Sequence, residues 1–320
     1  MYRTFVSCLV AFMAALPAWS QEFPSKPVRI ISPYPTGLAP DVAIRILADA
    51  LSKSWNQPVI VEGRPGGNGF IALEATKKAN PDGYTILLSG QPQLAVVPKL
   101  FKKVPYDPEQ DFAPITLMYR AHQFIAVGKG SPYKSVKDLV AAARANPGKL
   151  NYSSPYIGSP PHMAAALLAQ GTGVQMVHVA YKEASQVYNA VGTDVALAFG
   201  TIGSLIPVLN AGRVRLLAVG TKSRVPSHPD VPTVAESGGP AGYDAEFWNA
   251  LIAPRGTPAA VIQRLNVAIA AALRQKDVQE KFHNIGFEPV SSTPEAVAAL
   301  VHSDLKLFGD LISRTGIAAE

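Results

Sequence analysis

Short apolar runs alternate with amphipathic stretches along nearly the whole chain. The runs that read as strands are Val28–Ile31, Pro58–Glu62, Tyr84–Leu88, Phe124–Gly128, Leu150–Ser153, Val174–Ala180, Asp194–Gly200, Val214–Gly220 and Trp248–Ala253. Between them the apolar period changes. Ile44, Leu47, Ala48 and Leu51 recur at i, i+3, i+4 and i+7, one face of a helix. Ser135 followed by Asp138 predicts a capped start for a helix over 136–145. "RLNVAIAAALRQ" and "EAVAALVHSDLKLFGDLI" give two further amphipathic helices near the C-terminus. Strand–helix alternation with near-continuous apolar strands predicts an α/β fold, with parallel sheets covered on both faces. The number of units predicts two doubly wound domains.

In such sheets ligands bind beyond the C-terminal strand ends, where loops enter helices. The stretch "PYPTGLAPDV", residues 33–42, lies at such an end. Its prolines restrict φ, Gly37 permits unusual backbone angles, and the free N–H groups of the following helix can face an anion. "SSPYIGSPPHMAAALLAQ" (153–170) repeats this arrangement, with Ser159 as an N-cap whose hydroxyl serves either the helix or a ligand. His162 in the first helical turn reads first as a structural hydrogen bonder. "VAYKEASQ" and "FGTIGSLIP" supply two more loops before helices, with Tyr181, Glu183 and Thr201 as their polar groups.

The first twenty residues stand apart. Arg3, the apolar stretch 5–16 and "AWS" at 18–20 make a secretory signal peptide, too short to span a membrane, with cleavage expected after Ser20. The only cysteine, Cys8, falls inside it, after an apolar run too short for a lipoprotein signal. Export without disulfides fits a bacterial periplasm, where a core drawn from 320 residues, 48% of them hydrophobic, needs no staples. Once Arg3 is removed, 28 basic residues face 23 acidic ones, an excess that favours anionic small molecules at encounter. No basic run is interleaved with aromatics, which argues against nucleic acid.

Enzymatic and cofactor motifs are scarce. No serine sits in a G-x-S-x-G elbow, no P-loop or H-E-x-x-H is present, and the six histidines lack metal spacing. Residues 67–72 fit G-x-G-x-x-A, but Asp82 comes too early for a ribose acid and Pro65 interrupts the turn. Neither cofactor nor metal is expected.

In their order along the chain, several stretches resemble one family. They are "YPTGLAPD", "VEGRPGGNG", "NPDGYTILL", "IGSPPHMA", "VAYKEA", "IPVLNAGRVRLLAVGTKSR", "HPDVPTVAESG" and "LIAPRGTP". Together they are similar to the Bug-type extracytoplasmic solute receptors, the binding proteins of tripartite tricarboxylate transporters. The resemblance runs from Pro27 to about Gly316. It implies two α/β domains joined by two crossover strands, a periplasmic-binding-protein-like flytrap closing on a small carboxylate. Domain 1 is expected over 21–122 plus 248–320 and domain 2 over 123–247, because "FIAVGKGSPYKSVKDL" and "FWNALIAPRGTP" resemble the family's two crossings.

Carried over by the resemblance, Tyr34, Thr36, Gly37, Ala39 and Asp41 form one wall of the site. Ser159, His162, Tyr181 and Thr201 form the other, and Leu38, Gln91, Ser154 and Glu183 complete the candidate set. Three positions depart from the pattern usual in the family. Thr36 replaces a proline, Leu38 the second glycine, and Glu183 a glycine after Tyr-Lys. Leu38 adds apolar bulk beside the anion seat, and Glu183 adds a negative charge. The expected role is that of a monomeric periplasmic protein capturing a dicarboxylate or aromatic acid for the membrane subunits of a tripartite transporter. The alternative is a ligand sensor docking on a membrane signalling protein.

Overall fold

The computed structural model describes residues 23–181 and 183–318; the expected signal peptide lies outside them. The chain opens with β1 (Val28–Ser32), α1 (Ala39–Trp55), β2 (Val59–Gly63), α2 (Phe70–Lys77), β3 (Thr85–Gly90), α3 (Val97–Leu100) and β4 (Phe112–Ala121). It then builds β5 (Phe124–Gly128), α4 (Val136–Ala145), β6 (Asn151–Ser154), α5 (Pro160–Thr172), β7 (Val177–Ala180), α6 (Ala184–Asn189), β8 (Leu197–Gly200), α7 (Ile202–Asn210) and β9 (Val214–Val219). It returns through β10 (Phe247–Pro254), α8 (Ala259–Leu273), α9 (Lys276–Asn284), β11 (Glu288–Pro289) and α10 (Pro294–Thr315).

These strands make two sheets, ordered β11-β4-β10-β3-β1-β2 and β7-β6-β8-β5-β9. Successive strand residues point to opposite faces. In β1, Ile30 enters one core cluster with Leu47 and Leu51 of α1, and Ile31 enters another with Leu73 and Phe308. Helices cover both faces, so the strand reads as an unbroken apolar run. The sheets are mixed rather than parallel. β10 runs antiparallel to β3 and β4, and β5 antiparallel to β8 and β9. A continuous apolar run reports burial on two faces and carries no information on strand direction. β4 is not among the strands that the apolar pattern predicts: Pro114 interrupts it, and register shifts in its pairing with β10 accommodate the irregularity. The predicted strands over 174–180 and 194–200 shorten to β7 and β8.

Two short crossings join the units. His122 and Gln123 link β4 to β5. The Gln123 carbonyl accepts the Gly220 N–H at 2.8 Å, and the Gly220 carbonyl accepts the Ala245 N–H at 2.7 Å. Arg120 and His122 both lie against Glu246, at 2.8 and 3.0 Å. Burial raises the Glu246 carboxyl, but His122 and Arg120 outweigh it and hold the group below its ordinary value.

The units also touch away from the crossings. Met163 and Ala166 of α5 share a core cluster with Leu94, Trp248 and Phe308 of the other unit. Gly158 lies against Leu100, and Gly203 approaches the backbone of Ile285 and Gly286.

Candidate functional site

The C-terminal ends of β1 and β3 in one sheet, and of β6, β7 and β8 in the other, lie toward the crossings, because Ala121 pairs with Phe247 and Phe124 with Gly200 and Val219 at that end. The loops that leave these strands therefore form the two walls of an interdomain cleft.

The first wall is held from beneath. The N–H of Gly37 and the guanidinium Nε of Arg45 both donate to Asp41 Oδ2, at 3.0 and 2.9 Å, while Arg45 Nη2 donates to Oδ1 at 3.1 Å. Asp41 is only 1% exposed, so its carboxylate fixes the turn instead of meeting an anion. Gly37 supplies the φ of +86° that the turn requires. Tyr34 donates its hydroxyl to Asn249 Oδ1 at 3.0 Å, and Asn249 Nδ2 donates to the Tyr119 hydroxyl at 2.5 Å. Burial pushes the Tyr34 phenol well up, with the hydrogen bond to Asn249 opposing and Tyr156 of the facing loop adding to it. Tyr34 is thus a neutral donor, and Tyr156 is near enough to affect it across the cleft. Thr36 and Leu38 are exposed on this wall.

Removal of the Asp41 carboxylate should collapse this support. Asp41→Ala leaves the Gly37 N–H and Arg45 without their acceptor and should cost about 1–3 kcal/mol of folding stability. Arg45→Ala, at a half-exposed side chain, should cost less than about 1 kcal/mol. Denaturant unfolding of the two variants checks the ordering.

The second wall is a relay of hydroxyls and imidazoles. Ser159 Oγ donates to Ser154 Oγ at 3.2 Å, and Ser154 Oγ sits 2.6 Å from His178 Nε2. The Gly158 N–H donates to His162 Nδ1 at 3.0 Å. An amide N–H can only donate, so His162 is neutral and carries its proton on Nε2. Burial, with His178 adding, brings the His162 imidazole down to about 3, and burial also lowers His178. The centroids of the two rings lie 4.2 Å apart; His162 stacks on Tyr152 and His178 tilts against it.

The helix starts along the cleft share one property. α1, α5 and α7 begin at Leu38, Ser159 and Thr201 with no side chain capping the first turn. The Ser159 hydroxyl goes to Ser154, and that of Thr201 pairs with Ser204 Oγ at 3.0 Å. Ser135 and Thr293 cap α4 and α10, which start at the far ends of their strands, while α8 and α9 start uncapped at Pro258 and Gln275; the cleft starts are distinguished by where they point. α4 carries the full capping box that "SVKD" announces. Uncapped first-turn N–H groups, with the positive end of the helix dipole behind them, suit an anion.

The remaining candidates divide. Tyr181 is partly buried, its N–H on the Ser154 carbonyl, and Glu183 is exposed at the start of α6. Gln91 turns away from the anion seats: its Nε2 donates to the Glu246 carbonyl and to Asp304. Two cavities of about 470 and 900 Å³ flank the crossings. The smaller holds Gln91 and Asp304, the larger Phe124, Ile206 and Phe287. Sequence reasoning missed Asn249, Tyr119, His178 and Tyr156. Asn249, Tyr119 and His178 lie on strands outside the loop motifs, Tyr156 lies within the 153–170 loop as an aromatic with no motif role of its own, and Asn249 is 215 residues from the Tyr34 it holds.

Fold and site define a solute-binding protein of the two-domain α/β type. The profile of the Tripartite tricarboxylate transporter family receptor matches residues 43–317. A protein from the tcbD-tcbE intergenic region of Pseudomonas sp. (strain P51) is 35% identical over 291 residues, 91% of this chain and 86% of its own. BugT of Bordetella pertussis is 32% identical, covering 94% of this chain and 93% of its own. Among solved structures, R. palustris Rpa4515 with adipate superposes with a TM-score of 0.80 at 31% identity, covering 92% of this chain and 99% of that one. The periplasmic binding protein BugD gives 0.76 at 28% identity, covering 93% and 100%. MatC of Rhodopseudomonas palustris, solved with malate, gives 0.76 at 26% identity, covering 91% and 100%. This chain belongs to the TctC/Bug family of tripartite tricarboxylate transporter receptors. Its members bind solutes and are not enzymes, so the Ser154–His178 contact is part of a cleft wall and not a nucleophile with its base.

Proposed function

We propose that the protein captures a small organic carboxylate in its interdomain cleft, in the periplasm, for delivery to the membrane subunits of a tripartite transporter. The observation that carries this reading is the set of uncapped helix starts at Leu38, Ser159 and Thr201, aimed into one cleft. Charge-assisted hydrogen bonds from backbone N–H groups and hydroxyls supply affinity without covalent chemistry. Related receptors solved with adipate and with malate support a carboxylate ligand. Among the described residues no helix is long and apolar enough to cross a membrane.

The ligand has an apolar body. Leu38 is 47% exposed and Tyr156 48%, and Ile157 beside it is also exposed. These side chains stand on the two facing loops, where closure would bury them. A six-carbon diacid or an aromatic acid has surface to lay against them; a short hydroxy-diacid has little. Leu38→Gly removes part of a Leu burial worth about 1.5–3 kcal/mol when complete. It should weaken adipate about 3- to 10-fold while changing malate less than about 2-fold. Calorimetric titration of both acids tests this, and equal losses would remove the argument for an apolar body.

The two bodies that close are proposed as 21–122 with 248–320, and 123–247, hinged at the crossings around Gln123, Gly220 and Ala245. Solution scattering should show a smaller radius of gyration with ligand, and an unchanged profile at saturation would argue for a rigid site.

A further inference from the structure

The 470 Å³ cavity beside the crossings has a chemistry opposite to that of the cleft. It lies between the units, with Met163 and Leu167 of α5 on one side and Leu307 and Phe308 of α10 on the other. Leu307 is 42% exposed and marks the mouth. At the base stands Asp304, 8% exposed. Trp248 Nε1 and Gln91 Nε2 both donate to its Oδ2, at 2.8 and 3.0 Å, and neither bond reaches Oδ1.

Among the described residues, no basic group forms an ion pair with this carboxylate. The two cations in the walls are taken: Arg120 holds Glu246 at 2.8 Å, and Lys222 holds Asp244 at 3.5 Å. Three carboxylates thus face two cations, and the unmatched one is the most deeply set. Burial raises the Asp304 carboxyl, and Asp244 adds to the rise despite the two hydrogen bonds and the more distant Arg120. A buried charge without a counter-ion is costly unless something pairs with it. The volume falls within the range of small-molecule sites, which combine apolar walls with a few fixed polar groups.

We propose that this cavity is a second ligand site, taking a primary ammonium on an apolar body, with the ammonium on Asp304 and the body between α5 and α10. Such a ligand touches both units and so acts on their relative placement. The cavity reaches the start of α5 only through Pro160, which has no N–H to offer an anion, and none of Leu38, Ser159 and Thr201 lines it, so its failure would leave the carboxylate reading intact.

Aminomethylcyclohexane is the probe, and cyclohexylmethanol is its uncharged isostere. Calorimetry should show saturable binding of the amine and at least about 10-fold weaker binding of the alcohol. Asp304→Asn keeps an acceptor for Gln91 and Trp248 and removes the charge; it should weaken the amine at least about 10-fold. Lys222→Gln, at a largely exposed side chain, releases Asp244 and should tighten amine binding by about 2- to 5-fold. Should Asp304→Asn fail to fold, Lys222→Gln and the isostere comparison decide. Absence of saturable amine binding, equal affinity for amine and alcohol, or an unweakened Asp304→Asn would each overturn the proposal.

Discussion

Gly203→Ala should weaken carboxylate binding by about 5- to 150-fold, the equivalent of a 1–3 kcal/mol overpacking cost at a contact between the units that closure presses together. Gly203 sits in the first turn of α7, where a methyl group would come within 2.6 Å of the Ile285 carbonyl oxygen and 3.2 Å of its carbon. Both obstacles are backbone atoms, so no rotamer change relieves them. The units must instead part at this point. Within α7 itself alanine is the better helix former, by about 1 kcal/mol, so the change should not unfold the unit that carries it. The expected signature is weaker binding, a thermal midpoint of the free protein within a few degrees of the parent, and a larger radius of gyration with ligand. A variant that binds normally and closes normally would show that the Gly203–Gly286 approach plays no part in closure.

The second large effect is an acid lability centred on His162. Its pKa lies at about 3 against 6.5 for the free side chain, because burial and the adjacent His178 disfavour the charged ring. A lowered folded-state value means that the unfolded chain binds the proton more readily. The contribution to stability is therefore complete above pH 6.5 and is lost as pH falls toward 3. At 1.36 kcal/mol per unit, about 2–3 kcal/mol should be gone by pH 4.5. His178 shifts in the same direction and steepens the loss. The carboxylates held below their ordinary values, among them Glu246 and Glu62, act mainly below about pH 4.5, which leaves the window between 6.5 and 4.5 to the imidazoles. His162→Gln should flatten the stability profile there, as measured by urea unfolding at half-unit pH intervals. An unaltered slope would mean that the ring is protonated without penalty.

Several of these features could be read from the sequence, and others could not. The Ser135–Asp138 spacing specifies a local structure, and α4 begins as that spacing requires. Buried strands such as β1 and β5 announce themselves because both their faces are covered. The placement of "PYPTGLAP" between β1 and α1 is a local property as well. Strand direction is not local, and neither is the irregular β4, whose place in the sheet is set by β10 more than a hundred residues later. The same distinction divides the site. Asp41 is visible as an acidic residue in a first helical turn, but its commitment to Gly37 and Arg45 is visible only in three dimensions. Ser159 has the sequence of an N-cap, yet its hydroxyl bonds to Ser154 because β6 brings that side chain and His178 alongside.

A carboxylate seated between the uncapped starts of α1 and α5 can be tested by one titration. The chain from Gln21 onward, purified without refolding, is titrated calorimetrically with adipate, as is its Ser159→Ala variant. One saturable site per chain is expected, with a stabilisation of about 2.7 kcal/mol at 100 times Kd. In the bound state the Ser159 hydroxyl must turn from Ser154 to the carboxylate, and Ser159→Ala, which loses that charge-assisted hydrogen bond of about 1.5–3 kcal/mol, should bind about 10- to 150-fold more weakly. If adipate and other carboxylic acids leave the protein unstabilised, or if the variant binds them as tightly as the parent, the carboxylate does not sit where the helix starts converge.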